Sequence, residues 1–149
     1  MISTILVPTD GSKTARKAGT YAVELAKQLQ ASILILCVID KRFLISRTVP
    51  VGQSFQGEAE TIDDYLRETA QGFAGDIKEL CDKEEVLSTT TIKSGHPVEE
   101  IVKAAQKSNV DLIVMGSHGQ SALAAATLGS VSYGVIHNDT KIPILLVKR

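Results

Sequence analysis

Apolar positions along the chain fall into two alternating patterns. Four short runs are almost continuous and rich in β-branched side chains: Ile5-Leu6-Val7, residues 33–39, residues 112–115 and residues 142–147. Runs of that kind suit strands buried on both faces of a parallel sheet. Between the first two, Ala15, Ala18, Ala22, Leu25, Ala26 and Leu29 recur at spacings of three and four. That is one face of an amphipathic helix, and Ser12 is placed to cap it. Residues 58–84 carry Ile62, Leu66, Phe73, Ile77 and Leu80 on a similar stripe. Glu58, Glu60, Asp63 and Asp64 would lie in its opening turns, where the helix dipole favours negative charge.

A weaker strand over residues 86–93 is rich in Ser and Thr and is expected near a sheet edge. Pro97 suits the first position of a third helix, with Val98, Ile101, Val102 and Ala105 on its apolar side, running to about Ser108. A last helix should begin at Ser130, turn Val131, Val135 and Ile136 inward, and be weakened by Gly134. The alternation predicts one α/β domain over residues 1–149 with a five-stranded parallel sheet. Residues 41–57 form the one long connection without clear periodicity. They read as an excursion, not a domain boundary.

Composition narrows the classes. The 149 residues are 44% hydrophobic and 22% charged, which excludes disorder as the main state. Sixteen basic against seventeen acidic side chains give a net charge of −1, so nucleic-acid binding through a basic face is not expected. No apolar run approaches the ~18–20 residues of a membrane span, and no membrane partner is expected. The opening residues lack the basic stretch of a signal peptide. Cys37 and Cys81 cannot build a disulfide framework, and both sit among apolar neighbours. A reduced, cytoplasmic setting follows.

In open parallel sheets, ligands bind beyond the carboxyl ends of the strands, where strand order reverses. The residues there are Pro8-Thr9-Asp10-Gly11-Ser12 after the first strand, Asp40-Lys41-Arg42 after the second and Gly116-Ser117-His118-Gly119 after the fourth. The strongest signal is the spacing Gly116-x2-Gly119-x9-Gly129-Ser130. Glycines directly after a strand allow a ligand to approach the backbone closely. Gly129-Ser130 then opens a helix whose free N–H groups favour an anion, and the Ser130 and Ser132 hydroxyls can reach phosphate oxygens. A second reading stays open, in which the glycines serve turns and tight helix–strand contacts. Asp10 likewise faces a ligand or caps the helix that follows. His118 either donates to or stacks on phosphate, or is merely exposed. His96 and His137 stand alone, without metal-ligand spacing. Cys37 reads as a small core residue, and no nucleophile–base arrangement stands out.

The segments ILVPTDGS, CVID, IVMGSHG, LGSVS and PILLVKR together resemble the universal stress protein family over nearly the whole chain. The glycine spacing is similar to that of its ATP-binding branch. The resemblance implies strand order 3-2-1-4-5 with helices on both faces, the fold of the adenine nucleotide alpha hydrolases. It also implies an ATP or AMP ligand, with Mg2+ or Mn2+ held mainly by the phosphates, and a homodimer. Carried onto this chain, Asp10 faces the ribose or phosphates beside Pro8 and Thr9. Val38 lines the adenine pocket through its main chain. Met115 and Gly116 lie near the ribose. Gly119, Gly129, Ser130, Val131 and Ser132 hold the phosphates, and Ser117 and His118 complete the nucleotide-binding set. Where the family often has a basic residue after the second glycine, this chain has Gln120-Ser121.

Three functions follow. The leading one is a nucleotide-dependent switch in a stress response, with little or no hydrolysis and a protein partner of unknown identity. The others are a slow metal-dependent ATP phosphohydrolase and a nucleotide-free dimeric module. The chain has no G-x4-G-K-[ST] lysine, and its glycine loop holds no arginine to stabilise a transition state. Both features favour binding over turnover. The run that opens on Ile142 and ends on Val147 falls at a sheet edge in this order, and two copies pairing there would cover it.

Overall fold

A computed structural model describes residues 1–40, 42, 61–119, 128–138 and 140–149. Nine elements alternate along it: β1 (Thr4–Pro8), α1 (Lys13–Leu29), β2 (Ser32–Ile39), α2 (Ile62–Lys83), β3 (Ser88–Ser94), α3 (Pro97–Lys107), β4 (Leu112–Gly116), α4 (Ser130–Ile136) and β5 (Ile144–Val147). The strands form one parallel sheet in the order β3-β2-β1-β4-β5. That is the order 3-2-1-4-5 expected from the resemblance. The direction of winding reverses between β1 and β4, whose registers align Ile5 with Leu112 and Leu6 with Ile113.

Strand alternation divides the core in two. Ile5, Val7, Ile33, Ile35, Cys37, Leu112 and Val114 face α1 and α2. Leu6, Leu36, Ile113 and Met115 face α3 and α4. β1 is sealed on both sides: Ile5, Leu6 and Val7 each have no exposed surface. At roughly 1.5–3 kcal/mol per buried large aliphatic side chain, this central strand is a principal anchor of the fold.

The helices begin where local chemistry allows. Ser12 accepts the Ala15 N–H at 3.1 Å and caps α1. Thr61 is extended and accepts the Asp64 N–H, so α2 starts at Ile62 and not near residue 58. Asp63 and Asp64 stand in its first turn as expected. Glu58, Glu60 and all of residues 41–57 except Arg42 lie outside the described residues. Pro97 opens α3.

Three apolar assignments change. Leu29, Ile62 and Ile136 are exposed, at 41%, 43% and 37%. Helix α4 is only two turns long and turns Ser132 and Val135 inward, with Val131 half-buried. Gly134 is there for packing: a Cβ on it would stand 2.6 Å from Val98 Cγ2 of α3. The last strand is shorter than its apolar run, spanning Ile144–Val147, after Pro143 has given its carbonyl to the Ile113 N–H. No helix among the described residues is long and apolar enough to cross a membrane.

Candidate functional site

The C-terminal ends of β1 and β4 lie side by side and carry their loops with them. Pro8 closes β1. The Thr9 N–H continues the ladder to the Leu36 carbonyl at 2.8 Å, and the Thr9 hydroxyl accepts the Gly11 N–H at 3.2 Å. Asp10 Oδ1 accepts the Ser12 N–H at 2.9 Å, closing a tight turn. The capping of α1 therefore belongs to Ser12, and the Asp10 carboxylate is turned to the loop after β4. A Cβ on Gly119 would stand 2.5 Å from Asp10 Oδ2. That near-contact joins the two loops.

The sequence gives Gly11 a place in the loop after β1 but no role, yet the turn depends on it. Its φ of +78° lies in the left-handed region. A Cβ there would also collide with the Phe73 ring of α2. The sequence signal was available: a glycine between an Asp and a helix cap, directly after a strand.

The loop after β4 is held from several sides. Gly116 pairs with Val147. It lies so close to α1 that an added Cβ would be 2.9 Å from Thr14 Cγ2 and 3.2 Å from the Ala15 nitrogen. The Ser117 N–H donates to the Val147 carbonyl at 3.0 Å, and the Ser117 carbonyl accepts the Gly129 N–H at 2.8 Å. Gly129 is thus tied back onto β4 just before α4 opens. The Ser132 hydroxyl donates to the Gly116 carbonyl at 2.7 Å and is buried. Its hydrogen braces α4 against β4, while the Ser130 side chain at the helix start is exposed. The packing reading of the glycines holds at Gly116 and Gly129, and at Gly119 the missing side chain leaves room for Asp10.

Ser117 is buried, and its hydroxyl lies 2.8 Å from His118 Nδ1. His118 is half-buried, and its Nε2 is sealed from solvent without a hydrogen-bond partner among the described residues. An unpartnered acceptor costs less than an unpartnered N–H. The tautomer with Nδ1–H donating to Ser117 fits best, and Nε2 is then an open acceptor.

Met115 is 4% exposed, a core side chain at the foot of the site. Val38, Val98 and Val131 are half-buried against the α3–α4 side of the core. They make an apolar rim near the strand ends, and the sequence pattern shows Val98 only as an apolar position of its helix. Cys37 points to the other face. Burial, with a further push from the Asp10 charge, raises its thiol to about 11, which makes it a core residue and not a nucleophile. Asp40 is held by Arg42 in a fork of 2.8 and 2.9 Å, and that bond lowers its pKa. His96 forms the N-cap position of α3 without a side-chain bond. The Gln120-Ser121 pair lies outside the described residues.

A doubly wound parallel sheet with a glycine loop over its switch point defines a class of α/β ligand-binding domains. The model of the universal stress protein family matches residues 1–148, and the chain belongs to that family. It is 35% identical over 158 residues to the universal stress protein MJ0577 of Methanocaldococcus jannaschii, covering 100% of this chain and 96% of that one. It is 33% identical over 150 residues to YxiE of Bacillus subtilis, covering 99% and 100%. The solved structure of MJ0577 superposes with a TM-score of 0.78, covering 100% of this chain and 97% of the other at 35% identity. Two more distant structures share the fold. One is a universal stress protein in complex with cAMP (TM-score 0.66, 24% identity, 97% and 96% covered). The other is a family member from Arabidopsis thaliana with AMP bound (TM-score 0.65, 16% identity, 99% and 92% covered).

Proposed function

We propose that this protein binds an adenine nucleotide, ATP or AMP, across the ends of β1 and β4 and acts as a nucleotide-dependent switch. One observation carries the reading: the Asp10 turn and the Gly116-x2-Gly119 loop meet at the switch point, with Gly119 bare where Asp10 approaches. In it, Pro8, Thr9 and Asp10 flank the ribose and phosphates, Val38 lines the base pocket, and Met115 and Gly116 lie beneath the ribose. Ser117, His118, Gly119, Gly129, Ser130 and Val131 surround the phosphates, braced by Ser132. That the fold accommodates an adenine nucleotide is supported by the AMP and cAMP complexes of its distant relatives.

A metal fits this site only in part. Among the described residues, no group of three or more His, Cys, Asp or Glu side chains could hold one. A divalent ion would therefore be carried chiefly by the phosphates, with Asp10 beside it, and would offset their charge. Residues 1–149 form one domain in this reading, in a cytoplasmic protein. Two copies pair through β5, whose Ile144, Leu145 and Leu146 are only half-buried at the sheet edge. The Ser117–His118 bond is the observation that favours slow hydrolysis as a second reading.

The test is chromatography of nucleotide released from the purified protein by mild denaturation, followed by calorimetric titration of the emptied protein. Stoichiometric ATP or AMP is expected. A protein that releases none and binds neither refutes the reading.

A further inference from the structure

The phosphate end of the proposed site has a charge problem. No lysine or arginine occurs between Lys107 and Lys141, so β4, its loop and α4 contain no strong cation. Asp10 adds a negative side chain to the same place. A triphosphate would meet backbone dipoles and hydroxyls but no positive side chain from these elements. Positive side chains have to come from neighbours in space.

Two neighbours qualify. On one side, Gly116 packs against Thr14 and Ala15 so closely that a Cβ would touch both. Lys13 is the residue before Thr14 and the first of α1. On the other side, Val147 pairs with Gly116 and accepts the Ser117 N–H. Lys148 follows it directly. The two lysines thus flank Gly116-Ser117, each one residue from a group in contact with that backbone. Both are exposed. Lys13 also runs against helix preference, because its charge stands at the positive end of the α1 dipole, whose first turn holds no acidic residue.

We propose that Lys13 and Lys148 hold the phosphate tail of the bound nucleotide and set a preference for triphosphate over monophosphate. This rests on the nucleotide reading above and adds which phosphates the chain selects. Ammonium groups on flexible stems suit the task, since they act as mobile point charges toward the outer phosphates. Each charge-assisted contact strengthens ATP binding and leaves AMP, whose single phosphate stays over the glycine loop, little affected.

The experiment is calorimetric titration of the full chain with ATP and with AMP. The variants are Lys13→Ala, Lys148→Ala, the double variant and the matching arginine replacements. Lys27→Ala is the control, because Lys27 pairs with Glu84 away from the site. Thermal midpoints establish that each variant is folded. The double variant should lose about tenfold or more in ATP affinity while AMP affinity changes by less than about twofold. Arginine at both positions should restore most of the loss. Raising salt should narrow the ATP-to-AMP ratio of the native chain, since exposed charges are screened beyond ~8 Å at physiological ionic strength. Equal losses for ATP and AMP, or unchanged ATP binding in the double variant, overturn the proposal. A native chain that binds neither nucleotide overturns the nucleotide reading itself, and the titration of the native chain shows that separately.

Discussion

Replacing Gly119 with alanine isolates the contact between the two loops. The new Cβ would lie 2.5 Å from Asp10 Oδ2, well inside van der Waals contact, so the carboxylate must turn away. Asp10 is half-buried and can rotate toward water. The fold should therefore lose about 1–2 kcal/mol, the size of a point-mutant effect that gives up one partly exposed hydrogen bond. Binding should suffer more. The rotation breaks the 2.9 Å bond from the Ser12 N–H and withdraws the carboxylate from the ligand. A hydrogen bond to a charged group is worth ~1.5–3 kcal/mol. At 1.4 kcal/mol per tenfold, the nucleotide affinity should fall by about 10- to 100-fold. Calorimetry at constant pH and magnesium measures this, with thermal unfolding as the check on stability. The companion variant is Asp10→Ala, which leaves space for the new methyl group. If the carboxylate transmits the effect, Gly119→Ala should cost little further affinity in that background, because contacting residues are not additive. A full Gly119→Ala penalty without the Asp10 side chain would refute the mechanism, and unchanged ATP binding would remove the loop from the site.

Other consequences follow from the same structure. Gly11→Ala combines a positive φ with collision against Phe73, and should cost upwards of about 2 kcal/mol in chemical denaturation, more than Gly119→Ala. Asp111 accepts hydrogen bonds from the Ser3 and Thr4 N–H groups and the Ser3 hydroxyl, which hold its pKa below 3.8. Its contribution is present above the unfolded value and lost as pH falls through the lower folded one, so Asp111→Ala should flatten the loss of stability below pH 3.8. An acid profile identical to that of the native chain contradicts this. The native protein should sediment as a dimer, and Leu145→Lys should shift it toward monomer or insolubility; a native monomer at micromolar concentration speaks against pairing through β5. Phosphate release from saturating ATP and magnesium should fall far below the ~1–100 s⁻¹ of kinases, since no arginine stands in the loop. Turnover near one per second that disappears in Gly119→Val would establish the hydrolase reading instead.

Local patterns alone placed most of the elements. The runs at Ile5-Leu6-Val7 and 33–39 are strands because a central parallel strand is apolar on both faces, a property written into consecutive residues. Ser12, Thr61 and Pro97 mark helix starts because capping depends on a few neighbouring atoms. Strand order came from resemblance to a family, since periodicity says nothing about which strands are neighbours. The roles of the glycines required the tertiary structure. In sequence Gly116, Gly119 and Gly129 are one motif, but in space they meet Thr14, Asp10 and Ser117, residues distant or unmarked in the chain. Gly11 and Gly134 became intelligible only when Phe73 and Val98 arrived from other helices. The inward turn of Ser132 in place of Ile136 has the same cause. A two-turn helix carries too few apolar positions to fix its own rotation, and the Gly116 carbonyl it must reach belongs to another element.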